Sequence, residues 1–300
     1  MAAHFNRGAT FPEPPVLPDD PLIDALARTN AKVEDFAISP DGSRIAYVSA
    51  ESGGYDLWVV NIDGSNNRCI VHMYPEQCLL PSWSPDGEWI SYGARYSSPT
   101  GNLYIVRADG TEAPYNITYD NSPGRYNEWT RWTPDGKEVV FTGGGPTGHS
   151  QVKALPTEIP TGKIRPRLIT NDEWNNTNVQ VSPDGKWVAF QSDRSGFADN
   201  KRMDVFVAPI SGGLARNLTP NTKDHHDSHP RWSPDGKRIA FVSDRTGWRN
   251  IGVIDVATGE TTMLTTSEWD ENNPYFSPDG KWIAYTASKS WNFHIMLVAA

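Results

Sequence analysis

Cysteine is nearly missing from this chain: Cys69 and Cys78 are the only two among 300 residues. Two thiols nine positions apart can build neither a disulfide framework nor a four-ligand zinc site. Basic residues are also in short supply, 27 against 36 acidic ones, for a net charge of −9. That balance counts against a nucleic-acid backbone or an anionic membrane as the main partner. No apolar run approaches the roughly 18 residues that a spanning helix needs. The opening Met1-Ala2-Ala3-His4-Phe5-Asn6-Arg7 lacks the basic-then-apolar order of a secretory signal. The expectation is a soluble, cytoplasmic chain with reduced thiols, no cofactor, and neither nucleic acid nor membrane as partner. A Gly-x-Ser-x-Gly nucleophile elbow is absent too, and Gly148-His149-Ser150-Gln151-Val152 fails at its last position.

What the chain has in quantity is tryptophan, 12 residues, and a tetrapeptide that recurs six times. The copies are Ser39-Pro40-Asp41-Gly42, Ser84-Pro85-Asp86-Gly87, Thr133-Pro134-Asp135-Gly136, Ser182-Pro183-Asp184-Gly185, Ser233-Pro234-Asp235-Gly236 and Ser277-Pro278-Asp279-Gly280. Their glycines fall 45, 49, 49, 51 and 44 residues apart. Proline presets φ for the first central position of a type I turn, Asp suits the second, and Gly accepts the left-handed conformation that closes a hairpin. The leading hydroxyl can bond a backbone N–H within the turn. Each copy therefore predicts a hairpin.

The flanks agree. Strands such as Phe36-Ala37-Ile38 precede the turn, and doubly apolar ones such as Trp187-Val188-Ala189-Phe190 follow it. A third strand (Ile251-Gly252-Val253-Ile254) and a more polar fourth (Thr261-Thr262-Met263-Leu264-Thr265) complete the unit. Four short antiparallel strands repeated at this period, with no helix between, form the unit of a β-propeller. One blade cannot bury both of its faces, whereas a ring of blades can. Trp83, Trp132, Trp187, Trp232 and Trp282 are expected to wedge between blades.

The fold class is thus an all-β propeller of six recognisable blades, the last lacking its outermost strand. Two segments are expected: 1–30, an extended arm with a short helix that Asp20 caps and Pro21 opens, and 31–300, the propeller. The unpaired last blade suggests a piece of a longer propeller protein.

The stretch Ser233-Pro234-Asp235-Gly236-Lys237-Arg238-Ile239-Ala240-Phe241-Val242-Ser243-Asp244-Arg245, nearly repeated at Ser182–Arg194, resembles the TolB-type propeller repeat. Leu26–Gly42 and Leu218–Trp248 resemble, more specifically, the N-terminal propeller of prolyl oligopeptidase family serine peptidases. That resemblance implies a gating propeller preceding an α/β-hydrolase domain that carries the catalytic Ser, Asp and His. None of those catalytic positions carries over here. It also implies a peptide substrate or a protein partner, with the hydrolase domain joined if the chain is longer. A stand-alone TolB-like interaction module is the alternative. A metal-dependent polysaccharide lyase is a remote third, prompted by Asp224-His225-His226-Asp227-Ser228-His229, which reads better as a polar rim loop than as a metal site.

Aligning the repeats four residues before each motif hydroxyl gives Asp35, Leu80, Trp129, Asn178, His229 and Asn273. They should ring one mouth of the axial channel, with Asp227 and Glu271 adding acidic groups two positions earlier. This mixed ring suits contact with a peptide or basic partner better than catalysis. Glu173-Trp174 and Glu268-Trp269 read as rim packing, and Asp193-Arg194 and Asp244-Arg245 as local ion pairs. Gly143–Gly148 reads as a hairpin connection. Asn116-Ile117-Thr118 and Asn217-Leu218-Thr219 are glycosylation acceptors only in a secreted chain.

Overall fold

The six tetrapeptides turn in the way their chemistry requires. In the turn after the first strand, the Ser39 hydroxyl donates to Asp41 Oδ1 at 2.6 Å, and the Arg44 N–H donates back to Ser39 Oγ at 2.9 Å. The Gly42 N–H closes on the Ser39 carbonyl, with Gly42 at φ 71°. The same set of bonds recurs at Ser182, Asp184 and Trp187 and at Ser233, Asp235 and Arg238. Hydroxyl and backbone donors hold the Asp41 carboxyl down at about 2, the Ser39 hydroxyl contributing most.

The computed structural model describes residues 33–50, 53–73, 76–95, 101–118, 127–157, 165–194, 202–220, 225–289 and 292–300. Segment 1–30 and its expected helix lie outside them. The first blade holds β1 (Val33–Ile38), β2 (Arg44–Ser49), β3 (Asp56–Asn61) and β4 (Arg68–Val71). The second holds β5 (Gln77–Trp83), β6 (Trp89–Arg95), β7 (Gly101–Arg107) and β8 (Tyr115–Asn116). The third holds β9 (Asn127–Trp132), β10 (Glu138–Gly144), β11 (Ser150–Pro156) and β12 (Arg167–Leu168). The fourth holds β13 (Asn176–Val181), β14 (Trp187–Ser192), β15 (Asp204–Pro209) and β16 (Arg216–Asn217). The fifth holds β17 (Asp227–Trp232), β18 (Arg238–Ser243), β19 (Asn250–Asp255) and β20 (Thr261–Met263). The sixth holds β21 (Asp270–Phe276), β22 (Trp282–Lys289) and β23 (Asn292–Ala299). All pairings are antiparallel between sequential strands, the sixth sheet has three strands, and no helix occurs among the described residues.

The apolar second and third strands fill the space between sheets. Ala189, Val205 and Val207 of the fourth blade pack with Ile239, Phe241 and Ile254 of the fifth. Ala240, Val242 and Ile251 pack with Ile283, Tyr285 and Ala287 of the sixth. Tryptophan wedges three of these joints: the indole N–H groups of Trp83, Trp132 and Trp232 donate to the Ala37, Ser82 and Gln180 carbonyls of the preceding blade. Trp187 and Trp282 are a correction to that pattern, being 43% and 46% exposed. They open the second strand, whereas the wedging tryptophans close the first.

Two residues past each short fourth strand of the second to fifth blades stands a threonine hydroxyl. Thr118, Thr170, Thr219 and Thr265 accept the N–H of Leu103, Val152, Val205 and Ile251 from the third strand beside them. This accounts structurally for Asn116-Ile117-Thr118 and Asn217-Leu218-Thr219, where the Asn Oδ1 also accepts the Thr N–H. Gly143–Gly148 does connect a hairpin, between β10 and β11.

The turns stack around the ring. A Cβ placed on Gly87, Gly136, Gly185, Gly236 or Gly280 would lie 3.2–3.9 Å from the turn proline of the preceding blade. Gly42 has no such neighbour among the described residues. The sixth and first blades meet nearer the axis instead, where Tyr275 stacks on Phe36 at 5.9 Å.

Candidate functional site

Each innermost strand carries a β-bulge. The pairing of β5, β9, β13, β17 and β21 with its second strand shifts register midway. At each shift one residue turns left-handed: Leu80 (φ 53°), Trp129 (60°), Asn178 (53°), His229 (54°) and Asn273 (52°). These are five of the six positions that repeat alignment assigns to the channel mouth. The sixth, Asp35, lies in β1, and its side chain is outside the described residues. Asparagine enters this conformation readily, whereas Leu, Trp and His give up roughly 1–2 kcal/mol to hold it. Bulky left-handed residues survive only where their surroundings fix them.

Those surroundings are one another. The Trp129 and His229 rings meet edge to face, centroids 6.2 Å apart, although they belong to the third and fifth blades. Asn178, from the blade between, is fully buried, whereas Asn273 is exposed. His229 is driven down to about 4, first by burial and then by the charges of Arg231, Arg249 and His226. Its ring is therefore neutral at physiological pH.

Two residues nearer each motif lies a further tier that sequence reasoning passed over. Arg131 Nε donates to Gln180 Oε1 at 2.8 Å. Arg231 Nη1 donates to Asn178 Oδ1 at 3.3 Å, and the Arg231 guanidinium lies 4.8 Å over the Tyr275 ring. With Phe36 beyond Tyr275, this chain of side chains runs from the third blade to the first. The same repeat alignment that gave the mouth would have given this tier two positions later.

Asp227 and Glu271 do not face the mouth as free acids; they are 1% and 2% exposed, Asp227 held within its own blade and Glu271 latched to the preceding one. Asp227 Oδ2 accepts from Arg245 at 2.8 Å, and burial pushes its carboxyl up against the pull of Ser243 and Arg245. Glu271 accepts from Thr265, from Ser267 at 2.7 Å and from the Ile251 N–H at 3.3 Å. Asn127 and Asn176 occupy the matching place in their blades, and Asn127 donates to the Gly101 carbonyl of the preceding one.

The Ser-Asp-Arg tail of the repeat is explained the same way. Asp193 and Asp244 accept the Asn175 and His226 N–H groups at 2.8 and 2.7 Å. Their neighbours Arg194 and Arg245 pair instead with Asp172 and Asp227, each at 2.8 Å. The expected Asp193–Arg194 and Asp244–Arg245 pairs are thus replaced by longer-range ones. The Trp174 carbonyl accepts from Gln151 at 2.9 Å in the rim loop, and Trp269 packs against the core between the fifth and sixth blades. Asp224 lies outside the described residues, and the His229 ring meets Trp129. Among the described residues no three His, Cys, Asp or Glu side chains converge to hold a metal ion.

Six sheets of antiparallel strands, with bulged inner strands whose side chains are joined from blade to blade, define a β-propeller. The chain belongs to the TolB beta-propeller domain family, which matches residues 24–165 and 157–300. It is 28% identical over 218 residues to the Tol-Pal system protein TolB of Francisella tularensis subsp. mediasiatica, covering 72% of this chain and 47% of that protein. It is 25% identical over 295 residues to dipeptidyl-peptidase 5 of Porphyromonas gingivalis, covering 80% of this chain and 42% of that one. The chain thus spans less than half the length of both curated relatives. Among solved structures, puromycin hydrolase shares the fold with a TM-score of 0.68 at 19% identity, over 94% of this chain and 48% of that one.

Proposed function

We propose that this propeller is the non-catalytic half of a prolyl oligopeptidase-like serine peptidase, where it gates access of peptides to a hydrolase domain. The supporting observation is one of coverage. The match to dipeptidyl-peptidase 5 takes in 80% of this chain and leaves more than half of that peptidase unmatched. The side chains of the inner strands suit the role physically. A channel closed by Trp129, His229, Arg131 and Arg231 passes only what can displace or thread those side chains. The compartment proposed with this reading is the cytoplasm, consistent with Cys69 and Cys78 as free thiols.

The second reading, a stand-alone interaction propeller, is favoured by the 28% identity to TolB. The experiment that separates them is the intact mass of the native protein, together with its transcript read past the codon for Ala300. A continuing frame with a Gly-x-Ser-x-Gly elbow supports the peptidase. A native mass equal to these 300 residues, with no hydrolase co-purifying, rejects it in favour of the interaction module.

A further inference from the structure

Three hydrogen-bond donors on the inner strands of the fourth and fifth blades have no acceptor among the described residues: Asn178 Nδ2, Gln180 Nε2 and Arg231 Nε. All three residues are more than nine-tenths buried, at 0%, 7% and 7% exposure. Amide orientation is fixed in both cases by a guanidinium. Arg231 takes Asn178 Oδ1 and Arg131 takes Gln180 Oε1, so each NH2 is the end left over. The partners that Arg231 does have, Asn178 Oδ1, the Pro230 carbonyl and the Tyr275 hydroxyl, are all neutral.

A buried guanidinium compensated, among the described residues, by dipoles alone and set beside two orphaned amide groups is costly as it stands. Ordered water would satisfy the amides and leave the positive charge unanswered. A planar anion with two acceptor oxygens answers both, because the Arg fork and the amide N–H groups match its geometry. We propose that the axial channel binds a carboxylate group between the fourth and fifth blades, held by Arg231, Asn178 and Gln180. Trp129 and His229 close the site on the mouth side. The site stands on these donors and does not depend on the peptidase reading. The carboxylate is either a free small acid or one carried by a peptide.

The test is thermal unfolding of the full chain with sodium acetate or acetamide, each up to roughly 50 mM at constant ionic strength. Acetate is expected to raise Tm by about 2–4 °C and acetamide to leave it unchanged. Asn178→Asp places a carboxylate of the chain's own against Arg231; it should raise Tm without ligand and abolish the acetate response. Arg231→Met should abolish the response as well, and if that variant fails to fold, Asn178→Asp decides alone. Glycyl-alanine and its C-terminal amide then distinguish the source. A shift by the free dipeptide only marks a peptide carboxylate, and a shift by acetate without the dipeptide marks a small acid. Equal effects of acetate and acetamide, or an undiminished acetate response in Asn178→Asp, overturn the proposal.

Discussion

Replacing His229 by asparagine alters two energies that the channel geometry sets separately. The first is conformational. His229 is left-handed at φ 54°, as are Asn178 and Asn273 in other blades, so asparagine removes strain worth about 1 kcal/mol at neutral pH. The second is a proton. The folded chain holds the imidazole at about 4, whereas an unfolded chain releases it to its ordinary 6.5. Because the folded value is depressed, the unfolded state takes up protons first, and stability falls as pH drops from about 6.5 to about 4. The loss from this group is about 2 kcal/mol at pH 5 and about 3 kcal/mol once pH passes the folded value. Carboxylates titrate in the same range, so the informative quantity is the wild-type stability minus that of His229→Asn. Urea unfolding from pH 7.5 to 4.5 measures it. That difference should grow in favour of the variant as pH falls. A difference independent of pH would refute the half-buried placement of His229 against Trp129 and beside Arg231.

Other outcomes follow from the same packing. Trp83→Ala empties a wedge that is 7% exposed and bonded to the Ala37 carbonyl, and should cost about 3–5 kcal/mol in urea unfolding. Trp282→Ala, at 46% exposure, should cost well under half as much. In carboxyl-detected NMR, Asp41 should titrate near 2 and move back toward the ordinary carboxylate range in Ser39→Ala. Burial raises both thiols, and Cys78 is fully buried, so iodoacetamide should label Cys69 slowly and Cys78 only after unfolding.

The blades were legible because each is announced by chemistry local to four residues: a hydroxyl, a proline, a carboxylate and a glycine that specify one turn wherever they stand. Counting back from that turn also picks out the bulge positions of the inner strands. It could not reveal that they are left-handed, since Leu80, Trp129 and His229 carry none of the glycine or asparagine signal that usually marks such a conformation. The bulge misled in a second way. Strand alternation puts residues two apart on one face, and that rule placed Asp227 beside His229. The extra residue between them breaks the alternation and turns Asp227 inward, against Arg245. Trp187 and Trp282 were misread because an apolar side chain at the first position of a second strand looks, in sequence, like any other core residue. Arg131 and Arg231 went unnoticed for the opposite reason, since a lone arginine before a tryptophan reads as surface until its neighbours around the axis are known.

The channel exists only if copies of one hairpin module close about an axis, and that closure joins the two ends of the described fold. Phe36 lies in the first blade and Tyr275 in the sixth, their rings stacked at 5.9 Å and tilted by 30°. In a sample with protonated Phe and Tyr in an otherwise deuterated chain, aromatic NOEs between Phe36 and Tyr275 are predicted, and they should vanish in Tyr275→Leu. A well-folded chain with assigned resonances and no such NOE would contradict the ring.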